Sequence, residues 1–335
     1  MLKPFISVII TNKNAFKWLD KCLASLESQT YRNFEVLFVD NLSTDGSTEY
    51  VEKSFPWVQV IRNKIDLGFA GANNIGVKRA KGVYVFLMNT DAFLETDTLS
   101  KLASVLINNP EYHLMQLDEK KYDKTDLPDR YLIFSMDIFG YPVGTNGKGP
   151  IFYADGAALV ATRKLFMQLN GFDEDFYMYL EDMDLSWRAR IAGEKVYFLK
   201  NIYVYHSTGG TSVPTIMKGS SYTTTSSRRF HAQKNNLRSI IKNYSLANIL
   251  WALPISLLLA SAEGFLYLWK GNLAGFIALH KAIWWNIVHL SETLKERAYV
   301  QRLRRIHDSV IMKNMRYVIS KLGSIKHHGI PNMKI

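Results

Sequence analysis

The sequence KGVYVFLMNTD, residues 81–91, decides the fold class of this chain. Its apolar run lies between Gly82 and a polar cluster, which is the pattern of a central strand in a parallel sheet. Ligands bind just past the carboxyl ends of such strands. Asp91 stands at that edge, where a hard cation bridging two phosphates would take an oxygen ligand. The alternative is that Asn89 and Asp91 only cap the next helix, and the rest of the chain has to decide between the two.

Strands with polar ends recur upstream of this stretch. The predicted strands are Phe5–Ile10, Phe34–Asp40 and Val58–Arg62, and the predicted helices include Ala72–Ala80 and Asp97–Ile107, the latter capped by Thr96. This alternation with short connections predicts an α/β fold with a parallel sheet and right-handed crossovers. Asp40 ends one strand, and Asn12 and Asn14 follow another, so they share a predicted edge with Asp91. The sequence has neither GxGxxG nor GxxxxGK[ST], which favours a metal as the counter-charge for phosphates.

The middle of the chain holds a second group of candidate residues. The pattern from Asn108 to Pro150 is poor and is interpreted as an irregular insertion. The next predicted elements are a strand over Ile151–Thr162 interrupted at Asp155, a helix in the acidic run FDEDFYMYLEDMDLSWRARIAG (172–193), and strands Lys195–Leu199 and Ile202–Tyr205. His206 comes directly after the last of these strands.

Three acids crowd the start of the acidic helix. Glu181, Asp182 and Asp184 have an ordinary explanation as residues stabilised by the helix dipole, and Asp184 and Arg188 have the i, i+4 spacing of a salt bridge. Asp182 is also suited to deprotonate a hydroxyl, because a general base has to be a carboxylate or imidazole fixed on a rigid element. A lone histidine is more often structural, but the position of His206 would let it meet the metal.

Six motifs carry a resemblance to a known family. They are SVIITNKN at 7–14, VDNLSTDGS at 39–47, DLGFAGANN at 66–74, MNTD at 88–91, GFDEDFYMYLEDMDLSWRARIAG at 171–193 and YHSTGGTS at 205–212. Together, and in this order, they resemble the inverting family-2 glycosyltransferases of the GT-A fold. The similarity is closest to the rhamnosyltransferase-like branch of bacterial surface-glycan assembly. The resemblance implies a Rossmann-like, mostly parallel central sheet flanked by helices.

The resemblance also implies roles for individual residues. It implies donor-side roles for Thr11, Asn12, Asn14, Asp40, Asn41, Ser43, Asn73, Asn89 and Thr90. Asn89 takes the place of the first acid of the family's Asp-X-Asp motif, so Asp91 is expected to carry most of the metal contact, with His206 as a further metal ligand. Asp182 corresponds to the catalytic base of the family. The candidate residues on the acceptor side are Glu181, Asp155 and Trp187.

The implied reaction moves a sugar from a nucleotide-diphosphate donor to a hydroxyl of a glycan or polyprenyl-linked acceptor. Mg²⁺ or Mn²⁺ neutralises the diphosphate leaving group. Asp182 takes the proton of the acceptor hydroxyl, which attacks from the opposite face and inverts the configuration. The transition state is oxocarbenium-like, as in glycoside hydrolysis.

Residues 213–240 predict a mobile loop or linker, because a Ser/Thr run precedes a basic stretch. Arg228, Arg229 and Lys234 could close over the donor phosphates, since arginine suits bidentate phosphate contact. A plain solvated linker explains the same composition.

The C-terminal part of the chain is both apolar and basic. The net charge is +11, and residues 241–335 contain 13 Lys and Arg against 4 Asp and Glu. A transmembrane hairpin requires about 20 apolar residues per helix, which Leu273–Leu290 does not supply. A soluble helical cap explains the apolar faces alone, whereas interfacial amphipathic helices on an anionic membrane surface also explain the charge. The predicted organisation is a GT-A catalytic domain over 1–212, a loop over 213–240 and a membrane-associating helical region over 241–335.

This organisation predicts a cytoplasmic protein held peripherally on the inner face of the cell membrane. The single cysteine, Cys22, fits a reducing compartment. The alternatives are a processive polysaccharide synthase, whose Gln-X-X-Arg-Trp motif has only a partial match at Gln301, a nucleotidyltransferase, and a non-enzymatic basic membrane- or nucleic-acid-binding protein. No nucleic-acid partner is predicted, because the basic residues lie outside any recognisable nucleic-acid motif. The motifs specify neither the sugar, the base, the acceptor nor the oligomeric state.

Overall fold

The computed structural model describes residues 5–121, 132–146, 151–207, 217–218 and 221–334. Its strands are β1 Ile6–Asn12, β2 Phe34–Asp40, β3 Gln59–Arg62, β4 Tyr84–Asn89, β5 Ala92–Leu94, β6 Leu114–Lys121, β7 Leu132–Met136, β8 Pro142–Asn146, β9 Ala158–Thr162, β10 Tyr197–His206, β11 Met217–Lys218, β12 Ser221–Thr225 and β13 Asn332–Lys334. Its helices are α1 Phe16–Glu27, α2 Ser47–Ser54, α3 Gly68–Arg79, α4 Thr98–Asn108, α5 Arg163–Gln168, α6 Glu181–Ile191, α7 Ser226–Asn243, α8 Leu246–Trp269, α9 Leu273–Val288, α10 Leu290–Arg302, α11 Asp308–Ile311 and α12 Ser320–His328.

The predicted α/β fold is confirmed, and it is built on a mixed sheet of eight strands in the order β3-β2-β1-β4-β9-β6-β10-β5. β1 pairs in parallel with β2 and β4, β2 with β3, and β6 with β10. β9 runs antiparallel to β4 and β6, and β5 runs antiparallel to β10. The first half of the sheet is therefore the predicted parallel one, and the second half is mixed.

Helices cover both faces of the sheet, because side chains alternate along each buried strand. Val8 and Ile10 of β1 pack into a core that α1, α2 and α4 close, whereas Ile9 packs into the core under α3, α5 and α6. A third core joins α6 to the C-terminal helices through Trp187 and Tyr244. Both faces being buried explains why the strands are almost continuously apolar.

Several predicted elements are corrected by the structure. The supposed irregular insertion contains β6, which lies inside the sheet between β9 and β10. The two strands predicted after the acidic helix are one strand, β10, with an irregularity between Leu199 and Tyr203. Helix α3 begins at Gly68 rather than Ala72, and α4 begins after Asp97 without a side-chain cap from Thr96.

The predicted loop over 213–240 is wrong from Ser226 onward, where α7 begins. Ser221–Thr225 is strand β12, and Thr225 at its end caps the helix by accepting a hydrogen bond from the Arg228 N–H. α7 packs against α6 on one side and against α8, α9 and α10 on the others. The predicted domain boundary at 212–213 lies outside the described residues.

Candidate active site

The loops after β1 and β2 form the first corner of the site. Strand pairing places Asn12 opposite Asp40. Asn12 Nδ2 donates to Ser43 Oγ at 2.9 Å and lies 3.4 Å from Asp40 Oδ1, while the Ser43 N–H donates to Asp40 Oδ2 at 3.2 Å. Asn12 Oδ1 is buried and has no hydrogen-bond partner among the described atoms. A fixed carboxylate and a buried amide oxygen without a partner among the described atoms therefore lie where the sequence predicts the nucleotide base.

Asn14 ties the two loops together. It adopts a left-handed φ of 52°, which asparagine tolerates better than most residues. Its Oδ1 accepts from the Thr44 N–H at 2.8 Å, and its own N–H donates to Ser43 Oγ at 3.0 Å. Thr11 pairs with Asn89 of β4, so this corner continues directly into the edge that carries Asp91.

Asn41 connects this corner to the loop before α3. Its Nδ2 donates to Asp66 Oδ1 at 2.7 Å, and its Oδ1 accepts from the Leu67 N–H at 3.0 Å. Asp66 also accepts from the Tyr177 hydroxyl at 2.6 Å and from Lys13 Nζ. Burial opposes ionisation of Asp66, but these hydrogen bonds outweigh it and lower its pKa. Asn41 is thus a connecting residue that holds the Tyr177 loop against the sheet edge.

Asp91 and His206 meet at the carboxyl edge, as predicted for a pair of metal ligands. His206 Nε2 lies 3.1 Å from Asp91 Oδ1 and 3.3 Å from Asn89 Nδ2, and its Nδ1 lies 2.6 Å from Glu119 Oε1. Burial alone would lower the pKa of His206, but the carboxylates of Glu119 and Asp91 raise it well above its usual value. Glu119, which the sequence interpretation left without a role, belongs to β6 and completes this group.

Asp182 is the one accessible side chain on helix α6, since every other residue from Glu181 to Ile191 is buried. Its Oδ2 accepts from the Gly156 N–H at 3.0 Å, and its Oδ1 accepts from the Met183 N–H at 2.7 Å. Desolvation nevertheless raises the pKa of Asp182 to about 6. A carboxylate with this pKa, held by two backbone donors, is suited to general base catalysis near neutral pH.

Further acids lie between the metal edge and Asp182. Burial, with the charges of Glu119 and Asp182, raises the pKa of Asp155 well above its usual value. Burial and the charge of Asp182 do the same to Glu181, whose Oε2 has no hydrogen-bond partner among the described atoms. The charges of Glu119, Asp155 and Asp182 thus act on one another, and Glu119 connects this group to Asp91 through His206.

The fit of a divalent metal can be judged from the donor atoms. Among the described residues, no group of three or more His, Cys, Asp or Glu side chains is arranged as a complete metal site. Asp91 and His206 nevertheless present an oxygen and a nitrogen at one point, beside acids that ionise reluctantly without a cation. Mg²⁺ in nucleotide sites typically takes one or two protein ligands and completes its shell with phosphate oxygens and water. Asp91 fits such a substrate-completed site, and His206 would join it as a ligand once its Nε2 loses the proton that Glu119 and Asp91 stabilise.

The loop that leads into α6 is strained and is held from α7. Tyr177, Tyr179 and Leu180 all have positive φ angles, of 64°, 71° and 67°. Asn235 Nδ2 lies within hydrogen-bond distance of the carbonyls of Phe176, Met178 and Tyr179, at 3.1, 2.9 and 2.7 Å. Asn235 lay in the predicted mobile loop, so only its place on a packed helix shows this role.

Four predicted site residues are engaged elsewhere. Trp187 is buried and packs edge-on against Phe152 and Tyr244. Arg229 pairs with Glu263 and donates to the Tyr267 hydroxyl. Lys234 is buried and donates to the Asp175 carbonyl, and burial lowers its pKa to about 8. Asn73 is buried and donates to the Phe69 carbonyl of its own helix. These four residues hold the fold together and do not line the cleft.

The other two predicted donor-side positions remain at the site. Thr90 is buried in the turn between β4 and β5, directly before Asp91. Arg228 places its guanidinium 5.0 Å from the ring centre of Tyr179, above the loop that leads to Asp182. The role of this arginine as a phosphate contact stays a prediction.

Residues 7–169 match the family described as Glycosyl transferase family 2. The chain contains a family 2 glycosyltransferase domain. An uncharacterized glycosyltransferase of Haemophilus influenzae is 31% identical over 109 residues, which is 32% of this chain and 34% of that protein. Glycosyltransferase GlyA of Streptococcus pneumoniae is 27% identical over 221 residues, which is 62% of this chain and 31% of that protein. The chain thus spans about a third of the length of these relatives.

Solved structures share the fold of this chain. GalNAc-T7 with UDP, GalNAc and Mn²⁺ aligns with a TM-score of 0.63 at 15% identity, covering 100% of this chain and 60% of that one. The mannosyltransferase PcManGT from Pyrobaculum calidifontis, in complex with GDP-Man and Mn²⁺, aligns with a TM-score of 0.53 at 17% identity, covering 90% of this chain and 86% of that one. The likeness confirms the GT-A fold.

Proposed function

We propose that this glycosyltransferase moves a sugar from a nucleotide-diphosphate donor to an acceptor hydroxyl with inversion, with a divalent metal and with Asp182 as general base. The observation that carries the proposal is that Asp182 alone is partly accessible on an otherwise buried helix, close to the acids Asp155 and Glu119 and through Glu119 to His206 and Asp91. The two solved neighbours described above bind nucleotides or a nucleotide sugar together with Mn²⁺, which supports the donor class and the metal.

Each group in the site has a distinct part in the proposed reaction. The corner of Asn12 and Asp40 binds the base of the donor, and Asp91 with His206 holds Mg²⁺ or Mn²⁺. When bound, the metal supplies positive charge to the diphosphate leaving group. Asp182 accepts the proton of the acceptor hydroxyl as its oxygen bonds to the anomeric carbon and the bond to the diphosphate breaks. Asp155 and Glu181 border the acceptor side of Asp182.

The test of this proposal is the Asp182→Asn variant. The amide keeps the shape of the carboxylate but cannot accept a proton, so we expect kcat to fall by about 10²–10⁴-fold. Binding of the nucleotide should be unchanged, because the Asp40 corner is untouched. Transfer is followed by nucleotide release from a panel of nucleotide sugars, rhamnose donors included, and the anomeric configuration of the product reports inversion.

The matched control is Asp97→Asn. Asp97 is an exposed acid outside the site, and its Oδ1 lies 2.8 Å from Lys101 Nζ. The substitution should leave both transfer and nucleotide binding unchanged. Equal loss of transfer and nucleotide binding in Asp182→Asn would assign Asp182 a structural role instead. Activity that survives complete chelation of divalent metal would remove the metal from the proposal and leave the base in place.

A further inference from the structure

Helix α8 places its large apolar side chains on the outside of the protein and its small or polar side chains on the inside. A helix on the surface of a soluble domain turns its apolar face inward and its polar face to solvent. The inward face of α8 carries small or polar residues, namely Ala252, Ser256, Ala260, Glu263, Gly264 and Tyr267. Its outward face carries large apolar ones, namely Leu246, Leu250, Leu258, Phe265 and Trp269, of which Trp269 is 81% exposed.

Helix α9 repeats the same inversion. Its buried residues are Gly275, Ala278, Leu279, Ala282 and Asn286. Its exposed ones are Leu273, Ile277, Trp284, Ile287 and Val288. α8 and α9 pack against each other, and a Cβ on Gly264 would come within 2.7 Å of the His280 ring, so their outward faces lie side by side. Together these ten residues form what we call the outer apolar face, and a contiguous surface of this kind marks an interaction site.

The inward faces are fixed to the rest of the protein by polar contacts. Glu263 of α8 is buried and pairs with Arg229 of α7 and with Lys321 of α12. Asn286 of α9 donates to the Lys234 carbonyl of α7 at 3.0 Å. α7 in turn packs on α6, the helix of Asp182. These bonds fix the orientation of both helices, so the outer apolar face does not arise from a helix free to rotate.

The positive charge around the outer apolar face favours an anionic bilayer over a second copy of the chain as its binding partner. The exposed side chains of Lys270, Lys281 and Lys295 flank or follow the two helices. A second copy of the chain would bring the same basic residues against each other, and the whole molecule carries a net charge of +11. An anionic bilayer instead attracts basic residues that border an inserted apolar face. Trp269 and Trp284 add the aromatic rings that are enriched at the membrane–water interface.

We infer that the outer apolar face of α8 and α9 docks in the interfacial layer of an anionic bilayer. Among the described helices, only α8 is long and apolar enough to cross a membrane. It lies on α7, however, and α9 has 16 residues, about 24 Å, which is less than the ~30 Å hydrocarbon core. The helices therefore lie along the surface of the bilayer and do not span it.

This docking brings the active site close to the lipid. Arg228 lies beside Tyr179 at the entrance of the acidic helix, and the neighbouring Phe230 contacts Lys281 of α9 through a cation–π pair at 5.3 Å. The start of α7 therefore links the cleft to the bordering basic residues. If the proposed transfer is correct, an acceptor held in the membrane could be reached without leaving it.

The experiment is flotation of the full chain with lipid vesicles. We expect binding to vesicles of phosphatidylcholine with phosphatidylglycerol, weaker binding to phosphatidylcholine alone, and loss of that difference in high salt. The variant Leu258→Glu/Trp284→Glu should bind anionic vesicles at least about tenfold more weakly, because two large side chains would no longer be buried. Both positions are exposed, so circular dichroism and the melting temperature should match those of the parent chain.

The matched control is Ile107→Glu, an apolar residue on α4 that is 64% exposed. It should leave vesicle binding unchanged. The inference is overturned if the parent chain binds no vesicles, or if the double variant binds as well as the parent. Light scattering adds a further arm: a dimer that the double variant abolishes, without vesicle binding, would identify the occupant as a second copy. Release of nucleotide from a soluble donor is measured in parallel, so failure of membrane docking is distinguished from failure of the proposed transfer.

Discussion

In the proposed reaction, the carboxyl group of Asp182 sets the expected pH dependence of transfer. Its pKa is raised to about 6 by desolvation, so it is protonated below that pH and cannot accept the hydroxyl proton. We expect kcat/KM to fall about tenfold for each pH unit below 6 and to level off above it. The measurement is a pH profile at saturating metal. The residual activity of Asp182→Asn should lack this acid limb, and an unchanged limb there would assign it to another group.

Asn235 is the second residue whose contacts predict a measurable effect. It holds three carbonyls of the strained loop before Glu181, so its loss should let the start of α6 shift. Because a displacement of about 1 Å can cost about 10²-fold in rate, we expect Asn235→Ala to lower kcat by about 10–100-fold. The dissociation constant of the nucleotide should not change, since the Asp40 corner keeps its own hydrogen bonds.

Asn286→Ala is the matched control for Asn235→Ala. Asn286 is also a buried amide, and it donates to the Lys234 and Ala282 carbonyls, both at 3.0 Å, away from the loop. Its loss should lower the free energy of unfolding by about 1–3 kcal/mol without lowering kcat. If both variants lose stability and kcat in the same proportion, Asn235 acts on the fold and not on the position of Asp182.

Single residues could be predicted where their chemistry and their position in a strand agreed. Asp91 follows β4 and His206 ends β10, and the structure brings their side chains together. Arg229 was wrongly assigned to the donor phosphates because its guanidinium forms an ion pair with Glu263, which lies 34 residues further along the chain. A sequence shows the type of each polar side chain but not the partner that satisfies it, and this is why a structural arginine resembled a phosphate ligand.

Elements could be predicted where hydrophobicity followed one period. The parallel strands β1, β2 and β4 are nearly continuous apolar runs. β6 was missed because its sequence, LMQLDEKK, becomes polar half-way, where Asp118 accepts from the Asn201 N–H of β10 and Glu119 contacts His206. α7 was missed because its buried face carries Asn235, Arg238 and Lys242, which are satisfied by distant carbonyls and carboxylates. Buried polar residues interrupt the hydrophobic period of a strand or helix, so the element cannot be recognised from that period.

The ionic contacts of α7 predict its contribution to stability. Lys242 Nζ contacts Asp184 Oδ2 at 3.1 Å and also pairs with Asp173. Lys242→Met would leave these buried carboxylates with less positive charge, so we expect a loss of about 3–5 kcal/mol in the free energy of unfolding, measured in urea. Lys101→Met removes a lysine from an exposed pair and should cost at most about 1 kcal/mol. Equal effects of the two substitutions would contradict the role given to α7.

The same network predicts the response of stability to acid. The Lys242 ammonium and the Arg238 guanidinium outweigh the effect of burial and hold the pKa of Asp173 well below its usual value. A carboxyl group with a depressed pKa stabilises the fold above its unfolded pKa of about 4, and this contribution is lost as the pH falls through the folded value. The free energy of unfolding should therefore decrease below about pH 4, and less steeply in Lys242→Met than in the parent chain.

At the scale of the whole molecule, the catalytic sheet and the C-terminal helices are joined by shared burial. Asp184 of α6 accepts from Asn243 of α7 at 2.9 Å, and Trp187 packs edge-on against Tyr244 with ring centres 4.7 Å apart. The helix that positions Asp182 is thus covered on its far side by residues that follow the predicted catalytic region. The proposed membrane-docking surface and the proposed general base are therefore connected through one helix, α7.

This connection predicts that a chain ending at residue 212 will not form a stable catalytic domain. Without α7, the truncated chain would expose Trp187 and leave Asp184 without Lys242. Both changes would destabilise helix α6. We expect it to be insoluble or to lack a cooperative melting transition, and a separate chain beginning at residue 213 should restore folding when co-expressed. A soluble 1–212 chain that melts cooperatively and binds nucleotide as tightly as the full chain would show instead that the catalytic sheet is an independent unit, as its sequence alone suggested.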